Sequence, residues 1–370
     1  MGGLNDARNR LPFEGGRPIK NRIRAALLAI PGFEPLCRLL TRRHVRVLMY
    51  HRFSAEGEED GRRVPARAFR QQLDFIASHH PVWDPDRQLR HLAEGSPATA
   101  GAPVIITADD GYLDFYEVAF PLLRERSLPA TLFVTTGFVD GTTWFWWDRV
   151  SYLLAHCQPG HRRFVIGNRE VWGDPADARK RDALWLAWAA PLRFVPDHEK
   201  EALLAQATAA CGVAIPPAAP AKYKPVTWDQ LREMSRSGIH LGAHTRSHPI
   251  LSRTTPEKAW AEISGSLADL AEQGFESIAW FCYPQGGPVD YTPEISELVQ
   301  RAGCRACYTA YYDARLEGNA LALPRYCVSP DFTHFRWVLC GAEYLVHRLK
   351  SLLRLKTGVG KYYWYGYEDP

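Results

Sequence analysis

Residues 104–112 read VIITADDGY, a short apolar segment that leads directly into two adjacent aspartates. Residues 104–107 are apolar or β-branched and predict a buried strand that ends just before Asp109 and Asp110. Because side chains alternate along a strand, we expect the two carboxylates to point to different sides of its end. One carboxylate could then hold a cation while the other moves a proton. Since Asp-Asp-Gly is also a common turn signal, this interpretation needs partners elsewhere in the chain.

Two histidines more than a hundred residues downstream supply such partners. His244 and His248 are four residues apart in GAHTRSHPIL, which follows a short predicted strand at residues 238–242. On a helical turn this spacing would place both imidazoles on one face, close enough to bind one metal ion. Two histidines and a carboxylate leave coordination positions open for water and substrate, as a catalytic zinc or similar site requires. Histidine pairs at this spacing also occur on surfaces that bind nothing.

Strand and helix patterns alternate around these motifs. Residues 46–50 predict a first strand, residues 65–79 an amphipathic helix, and residues 130–135 a further strand after a helix at 116–126. Thr227, with Gln230 three residues later, predicts a capped helix start, and residues 277–283 predict another strand. This alternation predicts parallel strands joined by helical crossovers. In α/β barrels the residues at the carboxyl ends of strands face the active site, so His51 either lies in the pocket or anchors the next loop.

The motifs resemble the polysaccharide deacetylase family, also called the NodB-homology family. The resemblance extends over most of residues 45–330, with the matching segments in the expected order, but leaves residues 142–224 unmatched. Residues 107–141 resemble the first signature and HTRSH at 244–248 the second, and the shorter matches are VLMYH at 47–51, FCYPQG at 281–286 and LPRYCVS at 323–329.

This resemblance implies an α/β protein with a distorted (β/α)7-type barrel at residues 44–343, interrupted by a helical insertion at 142–224. It also implies a carbohydrate N-deacetylase, a hydrolase of C–N bonds other than peptide bonds that removes an N-acetyl group from an amino sugar or glycan. A divalent metal, with Zn²⁺ as the expected ion, would polarise the acetamide and lower the pKa of a bound water.

The resemblance assigns a role to each residue of the candidate site. Asp109 is expected to take the proton of the attacking water, and the backbone amide of Gln285 to share the oxyanion with the metal. The expected metal ligands are Asp110, His244 and His248, and the expected substrate or oxyanion contacts are Gln285, Tyr283 and His51.

Two positions depart from the family pattern. Cys282 stands where the family usually carries an arginine that orients the catalytic aspartate. We expect Arg325, in LPRYCVS, to replace it, because an arginine fork pairs well with a carboxylate. The last signature also lacks the histidine that usually acts as the general acid, for which His51 and His240 are the candidates.

Two other functions fit the same motifs. The site could remove a formyl or acetyl group from a lipid-linked amino sugar at the membrane surface. The missing arginine and the missing acid would also suit a sugar-binding homologue with impaired catalysis, although the intact aspartate pair disfavours this.

Both ends of the chain predict basic, amphipathic segments. Residues 1–43 begin with a flexible stretch and continue as a helical pattern that Pro31 and Gly32 should break. Residues 344–370 form a basic, aromatic tail. Each end either packs on the barrel or rests on an anionic membrane surface. No run of about 18 apolar residues predicts a spanning helix, and the short apolar run at 25–30 is a poor signal peptide.

Composition limits the remaining partners. A net charge of +4, from 45 basic and 41 acidic side chains, is too small to predict binding to nucleic acid. The eight scattered cysteines do not resemble a disulfide scaffold and predict reduced thiols. We therefore expect a cytoplasmic protein, with peripheral contact to the inner membrane surface as the alternative.

The tryptophans bunched in residues 144–188 indicate either core packing of the insertion or a wall that stacks on sugars.

Overall fold

The computed structural model of the protein describes residues 17–58, 62–94, 101–167, 169–275, 278–353, 363–364 and 367–368. Its strands are short and mostly buried. In chain order they are β1 Arg46–Tyr50, β2 Phe53–Ser54, β3 Val64–Pro65, β4 Val104–Ala108, β5 Ala130–Val134, β6 Arg162–Ile166, β7 Arg169–Gly173, β8 Ile239–Ala243, β9 Trp280–Cys282, β10 Ala306–Tyr308, β11 Tyr326–Cys327, β12 Tyr363–Trp364 and β13 Tyr367–Glu368.

Helices connect most of these strands. A π-helical turn, Phe115–Ala119, leads into the helix that follows β4. The α-helices are α1 Arg17–Leu28, α2 Phe33–Leu40, α3 Ala66–His79, α4 Pro85–Glu94, α5 Phe120–Glu125, α6 Thr136–Val139, α7 Trp146–His156, α8 Ala178–Phe194, α9 Asp197–Cys211, α10 Trp228–Arg236, α11 Pro256–Glu272, α12 Pro293–Arg301, α13 Phe332–Leu339 and α14 Ala342–Leu352.

Seven of the strands form one parallel sheet that curls into a barrel. Their order is β10-β9-β8-β5-β4-β1-β11, and every pair is parallel. The two ends of the sheet approach each other where Leu323, three residues before β11, forms a parallel bridge with Tyr308 of β10. The Leu323 N–H donates to Cys307 at 2.7 Å, and the Thr309 N–H donates back to Leu323 at 3.0 Å. The predicted distorted (β/α)7-type barrel is confirmed.

Every second strand residue points into the barrel, where a single apolar cluster fills the space. Its members include Val47, Ile105, Phe133 and Tyr308, all at most 2% exposed. Gly242 of β8 is paired with Phe133, and a Cβ added at Gly242 would lie 2.3 Å from the phenyl ring. The glycine is therefore required for the aromatic ring to occupy the barrel interior.

Several local predictions hold. The α10 helix begins with the predicted capping box, since the Gln230 N–H donates to Thr227 Oγ1 at 3.2 Å and the Thr227 N–H donates to Gln230 Oε1 at 2.8 Å. The amino-terminal helix is interrupted at Pro31 and Gly32, as the sequence predicts, and so forms α1 and α2. The predicted strand that ends at Tyr283 is shorter than expected and spans only β9.

The insertion has a hydrophobic core of its own. The α7, α8 and α9 helices pack with the antiparallel hairpin of β6 and β7, which the sequence did not predict. Trp144, Trp147, Trp185 and Trp188 are at most 6% exposed within this core. Four of the bunched tryptophans therefore serve core packing, and they do not form a surface for stacking on sugars.

The terminal helices pack against each other beside the barrel. Leu28 of α1, Cys37 of α2 and Ala342 of α14 share a small buried cluster with Trp337 of α13. Of the predicted flexible residues 1–20, residues 1–16 lie outside the described residues, whereas 17–20 belong to α1, so the prediction is wrong there. Most of the predicted tail beyond residue 353 also lies outside the described residues. No helix in the described ranges is both long and apolar enough to cross a membrane. Seven of the eight cysteines are buried, and Cys327 is partly exposed.

The close contact at Gly242 generates a stability prediction. Gly242→Ala should lower the free energy of unfolding by roughly 1–3 kcal/mol, because the new methyl group overlaps the Phe133 ring in a filled interior. Phe133→Leu frees space, so its destabilisation combined with Gly242→Ala should be smaller than the sum of the two single effects. Urea unfolding of the four proteins measures this coupling, and strictly additive effects would contradict the proposed overlap.

Candidate active site

Three potential metal ligands converge at the carboxyl ends of β4 and β8. Asp110 follows β4, His244 follows β8, and His248 lies in the loop beyond it. The Nε2 atoms of both histidines are 3.6 Å from Asp110 Oδ1. One ligand atom from each residue lies within 4.8 Å of the other two. The carboxylate and the two imidazoles, separated by more than 130 residues in sequence, are thus brought to one point.

The histidine segment is an extended loop, so the prediction of a helical turn is wrong. Thr245 and His248 have positive φ angles of 66° and 60°. The hydroxyl of Thr245 accepts the His248 N–H at 3.0 Å. Glu262 of α11 accepts the N–H of Ser247 at 2.8 Å and its hydroxyl at 2.6 Å. These bonds hold the unusual backbone that turns His248 back toward His244.

Hydrogen bonding fixes the tautomer of His244. Its Nδ1 lies 2.7 Å from the carbonyl oxygen of Cys282, which can only accept, so Nδ1 carries the proton and Nε2 presents a lone pair toward Asp110. Burial lowers the pKa of His244 to about 4, despite the opposing charge of Asp109. Burial also lowers the pKa of His248. Both imidazoles are therefore neutral near pH 7, the form that binds metal.

The aspartate between the two imidazoles is electrostatically suited to a cation. Asp110 is 1% exposed, and its Oδ2 has no hydrogen-bond partner among the described residues. Burial, followed by the charges of Asp109 and Asp148, raises its pKa well above the ordinary value. A buried carboxylate among other carboxylates is costly unless a positive charge compensates it. The donor set of one carboxylate and two imidazoles fits a divalent metal such as zinc.

Asp109 is paired with an arginine inside the barrel. Arg325 Nη1 and Nη2 each donate to Asp109, to Oδ1 and Oδ2 respectively, at 2.7 Å. Arg325 Nε donates to the Thr309 carbonyl at 2.7 Å, and Nη1 also donates to Thr107 Oγ1 at 3.0 Å. Burial raises the pKa of Asp109, but the charge and hydrogen bonds of Arg325 outweigh it and hold the pKa well below its usual range. Asp109 is therefore ionised at neutral pH.

The remaining predicted site residues lie in different environments. His51 follows β1, with its Nε2 3.8 Å from Asp109 Oδ2 and its side chain 35% exposed. Gln285 has a φ of +59°, and its backbone N–H makes no hydrogen bond within the described residues. Tyr283 does not reach the pocket, because it is 1% exposed and its hydroxyl donates to the Leu321 carbonyl at 2.9 Å.

The family of the chain follows from comparison with known proteins. A family model described as polysaccharide deacetylase matches residues 97–180 and 192–307, which is more than half of the chain. The chain belongs to the polysaccharide deacetylase family. It is therefore a carbohydrate N-deacetylase, a hydrolase whose family acts on N-acetylated polysaccharides. Deacetylases of this family are metal-dependent, and the chain contains a candidate metal site.

Solved structures support the fold. The deacetylase PplD of Streptococcus pyogenes, solved in complex with acetate, is 18% identical with a TM-score of 0.52 over 78% of this chain and 93% of that chain. IcaB of Ammonifex degensii is 20% identical with a TM-score of 0.52 over 80% of this chain and 97% of that chain. A comparison with curated proteins gives no match.

This polysaccharide deacetylase has a thiol beside its paired aspartate. Cys282 Sγ is 2.9 Å from Arg325 Nη2 and 3.5 Å from Asp109 Oδ2. Asp109, His244 and Cys282 also come close enough to share an ion, but the guanidinium group already lies against both the carboxylate and the sulfur. Burial raises the pKa of Cys282 well above its ordinary value, so the sulfur is a thiol and a poor ligand.

The insertion supplies residues that sequence reasoning missed. Phe145 and Trp147 lie edge-on to His248, with ring centroids 5.4 and 4.8 Å away. Asp148 is 2% exposed and accepts the Tyr112 hydroxyl at 2.5 Å. Burial raises the pKa of Asp148 to about 6, although the charge of the nearby Arg52 opposes this. No local pattern in WFWWDRV distinguishes these residues from ordinary core positions.

The buried pair of Arg325 and Asp109 generates a second prediction. Arg325→Met should destabilise the metal-free protein by about 3–5 kcal/mol, because it leaves the Asp109 charge buried without a partner. Asp109→Asn in the same chain should restore much of this loss. Because the pKa of Asp109 is depressed on folding, the pair's contribution is present above the ordinary aspartate pKa and declines as the pH falls below it.

Thermal unfolding of the wild type, the two single variants and the double variant at pH 7 forms the required cycle. If the double variant is as unstable as the two losses added together, the two side chains are energetically independent and the assignment of the pair is wrong.

Proposed function

We propose that this deacetylase uses a divalent cation, zinc, bound by Asp110, His244 and His248, and that Asp109 is the general base. The observation that carries the proposal is the juxtaposition of two adjacent carboxylates in opposite electrostatic states. Asp109 is fully paired with Arg325 at 2.7 Å. Asp110 lies 3.6 Å from two neutral imidazoles, and among the described residues it forms no ion pair with a lysine or arginine. The first can accept a proton, and the second can hold a cation.

When bound at these ligands, the metal supplies Lewis-acid polarisation of the acetamide carbonyl and of the attacking water. The protein residues would perform the proton transfers and orient the substrate. Arg325 fixes the plane of the Asp109 carboxylate, so that a water molecule on its accessible side can give up a proton as it attacks the carbonyl carbon.

Of the two candidates for the general acid, His51 is the better placed. Its Nε2 lies 3.8 Å from Asp109 Oδ2, and its side chain is 35% exposed, so a substrate nitrogen can approach it. His240 is the second residue of β8, near the amino end of the strand. It is roughly 13 Å along the strand from His244, given about 3.3 Å per residue. We assign protonation of the departing amine nitrogen to His51.

The backbone N–H of Gln285 is the proposed donor to the oxyanion. Gln285 has a left-handed backbone conformation, and no described residue accepts the hydrogen of its N–H group. Hydrolysis then breaks the C–N bond of the acetamide, releases acetate and leaves the free amine of the sugar. Tyr283 was also predicted to contact the substrate or the oxyanion, but its side chain is buried in the core. The proposal therefore assigns this contact to the Gln285 N–H alone.

The proposed base and acid are separable by varying the leaving group. Asp109→Asn and His51→Gln should both lower kcat for an N-acetylated sugar by roughly 10²–10⁴-fold, because each removes one proton transfer. An activated aryl acetate has a leaving group that needs no proton. On this substrate His51→Gln should regain most of the wild-type rate, whereas Asp109→Asn should not.

Zinc content measured on both variants is the control, since neither residue is a proposed ligand. Asp110→Asn should lose the metal. An Asp109→Asn protein that retains metal and hydrolyses the sugar substrate at the wild-type rate would rule out the assigned base.

A specific surface favours a second, finer proposal, that the substrate is a lipid-linked amino sugar at a membrane. The terminal helices and the residues next to them carry nine aliphatic side chains that are each more than half exposed, namely Ile19, Ile23, Ile30, Leu36, Leu39, Leu40, Leu349, Leu352 and Leu353. Residues 17–43 and 342–353 contain nine Lys and Arg but only two Glu, whereas the rest of the chain contains 36 Lys and Arg against 39 Asp and Glu. Both acids are occupied, Glu34 with Arg336 and Glu343 with Arg24.

This apolar, basic surface matches the chemistry of an anionic lipid bilayer. Residues of α1, α2 and α14 contribute to it, and these helices meet in one buried cluster. Comparing formate and acetate release from acylated amino sugars, with and without a lipid anchor, would separate a deformylase from a deacetylase.

Vesicle binding tests the membrane proposal directly. The 370-residue chain should sediment with phosphatidylglycerol vesicles and much less with phosphatidylcholine vesicles. Arg42→Gln with Arg43→Gln should weaken binding by roughly 30-fold, on the basis of about 1 kcal/mol per basic residue near the surface. Trp172 on the insertion is as exposed as the aliphatic residues of the terminal helices. Because it lies outside the proposed membrane surface, Trp172→Gln should bind the vesicles as the wild type does. Equal sedimentation with both lipids, or with neither, would contradict the proposal.

A further inference from the structure

The carboxyl end of α8 joins the insertion to both loops of the active site. Arg193 Nη2 is 3.6 Å from Asp290 Oδ2, and the two side chains are 3% and 2% exposed. On the other side, Arg253 Nη1 donates to the Phe194 carbonyl at 2.7 Å. Asp290 lies five residues beyond Gln285, and Arg253 lies five residues beyond His248. The insertion therefore contacts the loops that carry the proposed oxyanion donor and a proposed metal ligand.

Asp290 organises the turn that follows Gln285. Its Oδ2 accepts the Gly287 N–H at 3.0 Å, and its own N–H donates to the Gly287 carbonyl at 3.0 Å. One residue earlier, the Gly286 carbonyl accepts the Ala310 N–H at 2.9 Å. A Cβ at Gly286 would lie 2.8 Å from that nitrogen, so the turn sits directly against the barrel rim. The position of the Gln285 N–H depends on this turn.

The two active-site loops are also bonded to each other at this point. The Ser252 N–H donates to the Asp290 carbonyl at 3.1 Å, and the Ser252 hydroxyl donates to the Val289 carbonyl at 2.7 Å. A shift of Asp290 would therefore be transmitted to the segment that follows His248. The carboxylate of Asp290 is the point at which the insertion, the histidine loop and the Gln285 loop meet.

We propose that Arg193 and Asp290 are positioning residues, through which the insertion sets the location of the Gln285 N–H relative to the metal site. A buried ion pair contributes little net stability, because desolvation of both charges offsets their attraction. Its value here is geometric, since a charge pair at one fixed position ties the insertion to a turn that is otherwise held by the Ser252 hydroxyl and by backbone hydrogen bonds. The catalytic consequence rests on the proposed function, while the structural consequence does not.

Kinetics of Arg193→Gln, Asp290→Asn, Arg193→Lys and the double variant Arg193→Gln/Asp290→Asn test the proposal. Each single neutral variant should lower kcat by roughly 10- to 100-fold, because a displaced oxyanion donor acts mainly in the transition state. KM should change by less than about twofold, and zinc content should be unchanged. The double variant should be no worse than either single one. Arg193→Lys keeps the charge and should recover most of the rate.

Arg163→Gln is the matched control, because it breaks an exposed ion pair with Glu170 on the hairpin of the same insertion, and it should leave kcat unchanged. If the neutral variants keep the wild-type kcat, or lose activity only in proportion to the fraction unfolded, the positioning role is wrong.

Hydrogen–deuterium exchange keeps the test independent of activity. Arg193→Gln should accelerate exchange of the amides of Gly286, Gly287 and Asp290 by about tenfold or more, and should leave the amides of β4 unchanged. If the wild type showed no metal-dependent acetate release, the proposed function would fail, but the exchange result would still decide the structural part. Unaltered exchange of these three amides would overturn the proposed positioning by Arg193 and Asp290.

Discussion

The buried ion pair between Arg325 and Asp109 is the interaction on which the rest of the site depends. Asp109 and Asp110 are adjacent, both are at most 2% exposed, and each raises the cost of ionising the other. Two such carboxylates remain charged in a barrel interior only if each has its own positive partner. Arg325 neutralises the first from inside the barrel, and this leaves the second, together with two neutral imidazoles, for a cation. The different electrostatic environments of Asp109 and Asp110 thus suit the two neighbouring carboxylates to different roles.

The arginine reaches Asp109 from a different strand than the family pattern implies, and the small Cys282 makes this possible. The chain carries Arg325 just before β11, whereas the usual position is in β9, where Cys282 now stands. The thiol leaves room for the guanidinium group, which passes 2.9 Å from the sulfur. The hypothesis of a catalytically impaired homologue was based on the missing family arginine and the missing histidine of the last signature. Because Arg325 pairs with Asp109 and the partly exposed His51 lies next to it, neither absence now supports that hypothesis.

Local chemistry determined what the sequence could predict. The strand before Asp109 and the capping box at Thr227 depend on neighbouring residues, and both were predicted correctly. The histidine loop was assigned to a helical turn because a spacing of four residues says nothing of the positive φ angles that Glu262, fourteen residues away, stabilises. The placement of Arg325 opposite Asp109 was expected only through the family pattern, because 216 residues separate them. The contacts of Arg193 with Asp290 had no sequence signal.

The protonation states of Asp109 and His51 constrain the order of the proton transfers in the proposed reaction. The depressed pKa of Asp109 means that its carboxyl group holds a proton weakly. Burial lowers the pKa of His51, although the Asp109 charge opposes this, so the imidazole is neutral before reaction and cannot donate at the outset. In the proposed reaction, a proton taken from water by Asp109 would pass to His51, whose Nε2 lies 3.8 Å away, a gap that one bridging water can span. The imidazole acquires the proton only after water has attacked, when the amine nitrogen first needs it. The weak basicity of Asp109 and the neutrality of His51 are therefore compatible with a single proton that travels from water to the leaving amine.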